Sequence, residues 1–452
     1  MEKGNPLREI AAAAGTKDWS VRLSFVIMGT AAIRYGQVIK GALYLAAQVL
    51  FALFFALFGW RYLRHFGTLG ETAQLRVWDE QAQIYQRVPG DNSMLILLFS
   101  VLTVAVTVAF LLVWYCNLKG ARRVARLAAQ GRHINTFRED ISTLLDERFH
   151  ITLLSAPMLT VALFTALPIV FMILIAFTNF DANHQPPGRL FTWTGLANVA
   201  DVFLGNEIKA HTFFGVLGWT LVWAVLATFT NYLLGMLLAI AINHKAVRLK
   251  KLWRTCFMIA IAIPQFVSLL LISRALESSG AINVALQQLG WISTPLPFMT
   301  NPALARLVVV LVNMWIGIPY TMMTFSGVLM NIPGDLYESA EIDGAGPVRR
   351  FFTITLPYMV FVTTPATITT FVGNINNFNV IYLLTAGGPF ALDYYQAGKT
   401  DLLVTWLYKL TVNQQDYALA STIGIFIFMI VSVCSLSVYN RTGAVRKEEM
   451  FQ

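Results

Sequence analysis

Two short stretches carry clustered polar side chains inside long apolar runs of this 452-residue chain. The first is Asn313-Met-Trp315-Ile316-Gly317-Ile318-Pro319-Tyr320. The second is Thr369-Thr370-Phe371-Val372-Gly373-Asn374-Ile375-Asn376-Asn377-Phe378-Asn379. An amide in hydrocarbon is costly unless it is paired or faces water. An amide also donates and accepts at once, as a sugar hydroxyl does, and an aromatic ring covers a sugar's apolar face. The chemistry on offer is therefore recognition of a neutral polyol. Helix–helix glue is the plainer account of any single Asn, but four of them between Asn374 and Asn379 favour a ligand site. Catalysis has no such support: there is no nucleophile–base pair, no metal-ligand spacing and no G-x-x-x-x-G-K-[ST] phosphate loop. No catalytic residue, metal or cofactor is expected.

The elements that must position these stretches are membrane spans. Hydrophobic residues make up 56% of the chain and charged ones 13%, with a mean hydropathy of +0.61; this is far from soluble composition. Apolar runs fall at 41–59, 94–115, 152–177, 213–242, 256–273, 305–330, 358–383 and 418–439, each near the ~20 residues a helix needs to cross a bilayer. The expected fold is all-α and polytopic, with about eight transmembrane helices. The fifth run is the weakest, because Pro264 divides it. A shorter apolar patch, Phe25 to Ala32, is expected to be interfacial or re-entrant. Cys116, Cys256 and Cys434 form no disulfide or metal pattern and are expected to be small apolar fillers.

Charge orients the spans. Of the 33 Lys and Arg residues, 23 lie in the N-terminal segment, the alternate loops and the C-terminal tail on one side, and 9 in the opposite loops. The positive-inside rule then makes both termini cytoplasmic. The basic stretch Lys119 to Arg148 reads as an amphipathic helix on anionic headgroups. All 24 acidic residues and all six histidines fall outside the eight runs. Proton- and sodium-driven carriers often hold such groups at membrane depth, so the energy for transport should come from another polypeptide.

Between the sixth and seventh runs lies Asn331 to Pro357, reading NIPGDLYESAEIDGAGPVRRFFTITLP. Asp335 is a good N-cap, Gly344 suits a left-handed turn, and Pro347 suits the first position of a second short helix. The spacing predicts a helix, a tight turn and another helix on the cytoplasmic side.

This stretch resembles the EAA loop of binding-protein-dependent ABC importers, with Glu338-Ser339-Ala340, Asp343-Gly344-Ala345 and Ile354-Thr355-Leu356-Pro357 at the motif positions and Ser339 as the single departure. Asn313 to Tyr320, Asn374 to Asn379 and Leu383-Leu384-Thr385-Ala386-Gly387-Gly388-Pro389 resemble the larger permease subunit of maltose/maltodextrin importers, from about Leu153 to Tyr439. The resemblance implies a type I importer permease in a prokaryotic cell membrane. It places ATPase coupling on Glu338, Ala340, Asp343, Gly344 and Ala345, and sugar contacts on Ile316, Gly317, Tyr320, Thr370, Gly373, Asn374 and Asn377. Gly373 departs from the family, whose enterobacterial members carry an aromatic there. The outward loop 178–212 is short where they carry an inserted domain. Implied partners are a second, smaller permease, an ATPase pair, an extracytoplasmic sugar-binding protein and an oligosaccharide. Membrane lipid surrounds the chain, and no nucleic acid is involved. Residues 1–150 would form an N-terminal segment with two spans and a basic loop, 151–440 a six-span core, and 441–452 a tail. The alternatives are a permease for another sugar or for glycerol phosphate, and outside transport a membrane glycosyl- or acyltransferase.

Overall fold

A computed structural model describes residues 6–81, 83–205, 207–244 and 246–441; all but the first residue of the expected 441–452 tail lies outside them. Chain contacts divide at Gly195 into two compact units.

In the first unit, three short helices, α1 (Pro6–Ala14), α2 (Trp19–Leu23) and α3 (Thr30–Arg34), precede two long ones, α4 (Val38–Leu63) and α5 (Ser93–Ala129). The patch expected to be interfacial or re-entrant, Phe25 to Ala32, folds onto α5. Asn117 accepts from the Gly29 backbone N–H at 3.0 Å and donates to the Ser24 carbonyl at 3.1 Å, while the Trp114 indole donates to the Phe25 carbonyl at 3.1 Å. Val21, Ala31 and Ala121 close a small core beneath. Bonding partners nearly ninety positions apart leave no local trace in the sequence.

The basic stretch after Cys116 is no separate surface helix: its first part, through Ala129, prolongs α5. It is followed by α6 (Phe137–Leu145), which starts with a capping box between Thr136 and Glu139 and is tied to the start of α4 by a Lys40–Asp140 ion pair at 2.6 Å. α7 (Phe149–Ile175) is the third span. The loop between α4 and α5 carries a β-hairpin, β1 (Leu75–Asp79) antiparallel to β2 (Ile84–Val88), with Trp78 opposite Tyr85.

In the second unit the long helices are α8 (Glu207–Asn243), α12 (Pro302–Met330) and α18 (Tyr417–Arg441). α9 (Lys250–Ala262) and α10 (Gln265–Ala275) meet at 83° around Pro264, as a proline that lacks its N–H and opposes helical geometry before it requires. α11 (Ala281–Gln288) follows. Seven helices among the described residues are long and apolar enough to cross a membrane, and the bent pair makes an eighth if it counts as one span. Large apolar side chains such as Leu50, Leu57, Leu112 and Phe164 are exposed on these helices, a surface that only lipid or a partner subunit would cover. Cys116 and Cys256 share that exposed surface instead of filling the interior, which corrects the expectation for them.

α13 (Gly334–Ile342) and α14 (Pro347–Arg350) form the loop beyond α12. A π-helical turn, Phe351–Thr355, then joins α14 directly to α15 (Leu356–Ile375). The second short helix is thus the first turn of the span, not a separate element. α16 (Phe378–Thr385) and α17 (Leu403–Tyr408) complete the unit.

Candidate sugar cavity and coupling loop

α8, α12 and α15 surround a cavity of about 280 Å³ lined by Thr228, Tyr232, Tyr320, Thr321, Thr324, Phe325, Thr363, Ala366, Thr367, Thr369 and Thr370. Six of its seven threonines share a chemical state, and the seventh, Thr228, accepts from Asn374. On α15, Thr363, Thr367, Thr369 and Thr370 each donate to the carbonyl four residues back, at 2.7 to 3.1 Å, and Thr324 does the same to Tyr320 at 3.2 Å. With the proton committed, each oxygen keeps lone pairs for a ligand hydroxyl. Tyr232 adds a phenol 2.9 Å from the Thr363 hydroxyl, and the Tyr320 ring is 66% exposed and available to lie against a ligand.

Two of the seven sequence-expected sugar contacts, Tyr320 and Thr370, line this cavity. Ile316 packs against the buried cluster around Trp223 and Val309. Gly317 lies so close to the Asn231 amide that an added Cβ would overlap it, and it serves as the contact point of α12 with α8. Gly373 is exposed, with open space where a side chain would stand. Asn374 is buried; its amide donates to the Thr228 hydroxyl at 3.0 Å, and its backbone carbonyl accepts from the Trp223 indole at 3.1 Å. Asn377 stands beyond the end of α15, where its carbonyl caps α16 by accepting from Val380 N–H at 3.3 Å. Sequence reasoning passed over Thr228, Tyr232, Thr321, Thr324, Thr363 and Thr367, and it placed Thr369 in the polar cluster without naming it as a contact. The available signal was the run of hydroxyls at three- and four-residue spacing between 363 and 370.

In the loop, Asp335 lies in the first turn of α13 rather than at its N-cap, and Pro333 takes the cap position without a side-chain bond. Gly344 has φ +76°, and its N–H bonds the Glu341 carbonyl at 3.1 Å while Ala345 N–H bonds that of Ala340 at 2.8 Å. This pair of bonds is a Schellman stop, which needs a left-handed residue. Tyr337 reaches Thr355 at 2.8 Å and Arg350 pairs with Glu341 at 2.9 Å, so the turn is braced against the base of the span. Ile342 and Val348 are exposed on either side of the turn, as are Glu338 and Asp343. Behind the loop, Asn243 gathers the helix ends: it donates to Ser326 at 3.1 Å, accepts from Arg254, and lends its carbonyl to Lys250 at 2.8 Å.

After α16 the chain forms a tight knot. Asp401 is fully buried and takes Lys409 at 2.5 Å, the Gly398 N–H at 2.6 Å and the Thr405 hydroxyl at 2.9 Å. Burial pushes its carboxyl above the ordinary carboxylate range, against the pull of Lys409 and these donors. Gly387, at φ +80°, passes so close that a Cβ would overlap the carboxylate.

Residues 231–442, which include α12, the loop, the Asn pair and the knot, match the family of binding-protein-dependent transport system inner membrane components. Over 94% of its length the chain is 35% identical to the galactooligosaccharides transport system permease protein GanP of Bacillus subtilis, covering 97% of that protein. This chain belongs to that permease family. The permease is also 33% identical to the maltodextrin transport system permease protein MdxF of Bacillus subtilis, over 96% of that protein. It is 36% identical to the maltose/maltodextrin transport system permease protein MalF of Escherichia coli over half of that protein. A solved bacterial ABC transporter involved in alginate import shares the fold, with a TM-score of 0.52 at 22% identity, covering 68% of this chain and 99% of that one. The permease is thus a multi-pass transport subunit with the ABC importer fold, as the sequence implied.

Proposed function

We propose that the permease is one transmembrane half of an ATP-driven importer for a neutral oligosaccharide of the maltodextrin or galactooligosaccharide kind, held in passage by the threonine-lined cavity. The observation that carries this reading is the wall of proton-committed threonines facing Tyr320, with no charged side chain among the lining residues. Such a wall accepts from hydroxyls and offers nothing to a phosphate, which disfavours glycerol phosphate. Sugar contact is assigned to Tyr320 and Thr370; Gly373, Asn374 and Asn377 frame the edge of the cavity, with Ile316 and Gly317 behind them.

The exposed Ile342 and Val348, beside Glu338, Ala340, Asp343, Gly344 and Ala345, form the face that an ATPase subunit grips. A second permease supplies the other half of the pathway, and an extracytoplasmic binding protein delivers the sugar. Residues 151–440 are the transport core; the family match, residues 231–442, overlaps all of it from residue 231 onward. The charge asymmetry puts both termini in the cytoplasm.

Uptake of a panel of malto- and galactooligosaccharides by cells carrying the assembled transporter, compared with uptake of glycerol phosphate, tests the assignment. Saturable, ATP-dependent uptake of at least one neutral oligosaccharide is expected. Uptake of the phosphate compound alone would overturn it.

A further inference from the structure

We propose that the basic cavity at the end of α5 binds the phosphate of an anionic phospholipid headgroup. Lys119, Arg122, Arg123 and Arg126 recur at i, i+3, i+4 and i+7, so they share one face of the helix. That face borders a cavity of about 310 Å³ whose other lining residues, among those described, are Ile10 of α1 together with Tyr115 and Leu118 of α5. Arg122 and Arg126 also border a second cavity of about 770 Å³, between α5 and the chain that leads from α1 into α2. Arg122 and Arg126 stand four residues apart, a spacing at which like charges repel one another, and a bound anion relieves that repulsion. Asp18, the acidic residue among the described lining of the second cavity, is already engaged: it takes Arg34 at 2.8 Å, the Tyr35 hydroxyl at 2.5 Å and the Ser20 N–H at 2.9 Å.

The position favours a lipid over a free phosphate. α5 has 37 residues, or roughly 56 Å at 1.5 Å per residue, against a hydrocarbon core of about 30 Å. Its apolar part comes first, which leaves Tyr115 to Arg126 at headgroup depth. Arginine forks meet phosphate oxygens in pairs, and Ile10 and Leu118 supply the apolar side that an acyl chain would follow. The site is independent of which sugar the cavity in the second unit carries.

The test is native mass spectrometry of the full chain in its assembled transporter, taken from bilayers of phosphatidylcholine mixed with cardiolipin or phosphatidylglycerol. Anionic lipid should be retained over phosphatidylcholine, and Arg122→Gln/Arg126→Gln should lower that retention about tenfold. The control pair Arg132→Gln/Arg138→Gln, outside both cavities, should leave it unchanged. If the glutamine pair fails to assemble, Arg122→Lys/Arg126→Lys keeps the charge but loses the fork, and should lower retention while preserving the complex. Equal retention of both lipid classes, or equal loss in the control pair, overturns the site. Displacement of the lipid by millimolar inorganic phosphate assigns the pocket to the free anion and overturns the lipid.

Discussion

The side-chain amide of Asn377 donates to the side-chain carbonyl of Asn374 at 3.3 Å, across the break that separates α15 from α16. On an unbroken helix the two would project from one face into a ligand. Here Asn376 leaves helical geometry, Asn377 caps the next helix, and Asn374 turns inward to Thr228. The pair therefore fixes the angle between two helices at the edge of the cavity.

Tyr320 and Asn374 should respond differently to truncation. Tyr320→Ala removes an exposed ring from the cavity, so uptake should fall about threefold to tenfold, the value of roughly one hydrogen bond or ring contact, with assembly unchanged. Asn374→Ala leaves the Thr228 hydroxyl without that donor and should cost the fold about 1–3 kcal/mol. Complex yield, thermal stability and uptake measured on the same membranes distinguish the two. A Tyr320→Ala complex with normal uptake would remove Tyr320 from the site.

Gly373 tests the size of the passage. Its Cβ direction is open, so Gly373→Phe should assemble normally while narrowing the path. Uptake of longer oligosaccharides should fall before that of disaccharides. A uniform loss of assembled protein would mean that the open space is filled by another subunit.

Gly344 tests coupling. A branched side chain at φ +76° costs about 1–2 kcal/mol, so Gly344→Val should weaken the Schellman stop and shift Ile342 and Val348. The protein should still insert, with ATPase association and uptake reduced. Wild-type uptake at equal expression would disprove the role of the turn.

In the knot after α16, Asp401→Asn should be among the more damaging single changes in the second unit. It leaves the half-buried Lys409 beside a neutral amide, and breaking a fully buried pair costs about 3–5 kcal/mol, so the partly exposed Lys409 should bring the loss below that range. A thermal melt of the purified complex should show the loss; an unchanged melt would mean that Lys409 finds another partner.

Cysteines placed at Ser142, Asp343 and Leu392 in a background lacking Cys116, Cys256 and Cys434 report topology, since all three sites are exposed. Ser142 and Asp343 should label from the cytoplasmic side and Leu392 from outside. Labelling of Leu392 with the other two would invert the arrangement.

The spans, the Pro264 bend and the left-handed Gly344 were legible because each depends on a few neighbouring residues: an apolar run long enough to cross, a missing N–H, a turn that only glycine takes easily. The cavity was only half legible. Its threonines sit among Val, Phe and Ala, so hydropathy hides them, and their lining role depends on Thr228 and Tyr232 arriving from α8. The asparagines drew attention for a sound reason, the cost of an amide in hydrocarbon, yet those of Asn374 and Asn377 are met within the chain. Nor could local pattern show that Gly317 meets Asn231 or that Asn117 holds the N-terminal helices.

A wall whose protons are already spent has a consequence for discrimination. Acceptor oxygens spaced along α15 welcome any ligand that presents hydroxyl hydrogens, and they are poorly suited to distinguishing an axial from an equatorial one or an α from a β linkage. On the proposed reading, the membrane passage acts as a sieve for size and charge. Stereochemical choice falls to whatever hands the sugar over, so two importers could share this wall almost unchanged and still carry different sugars.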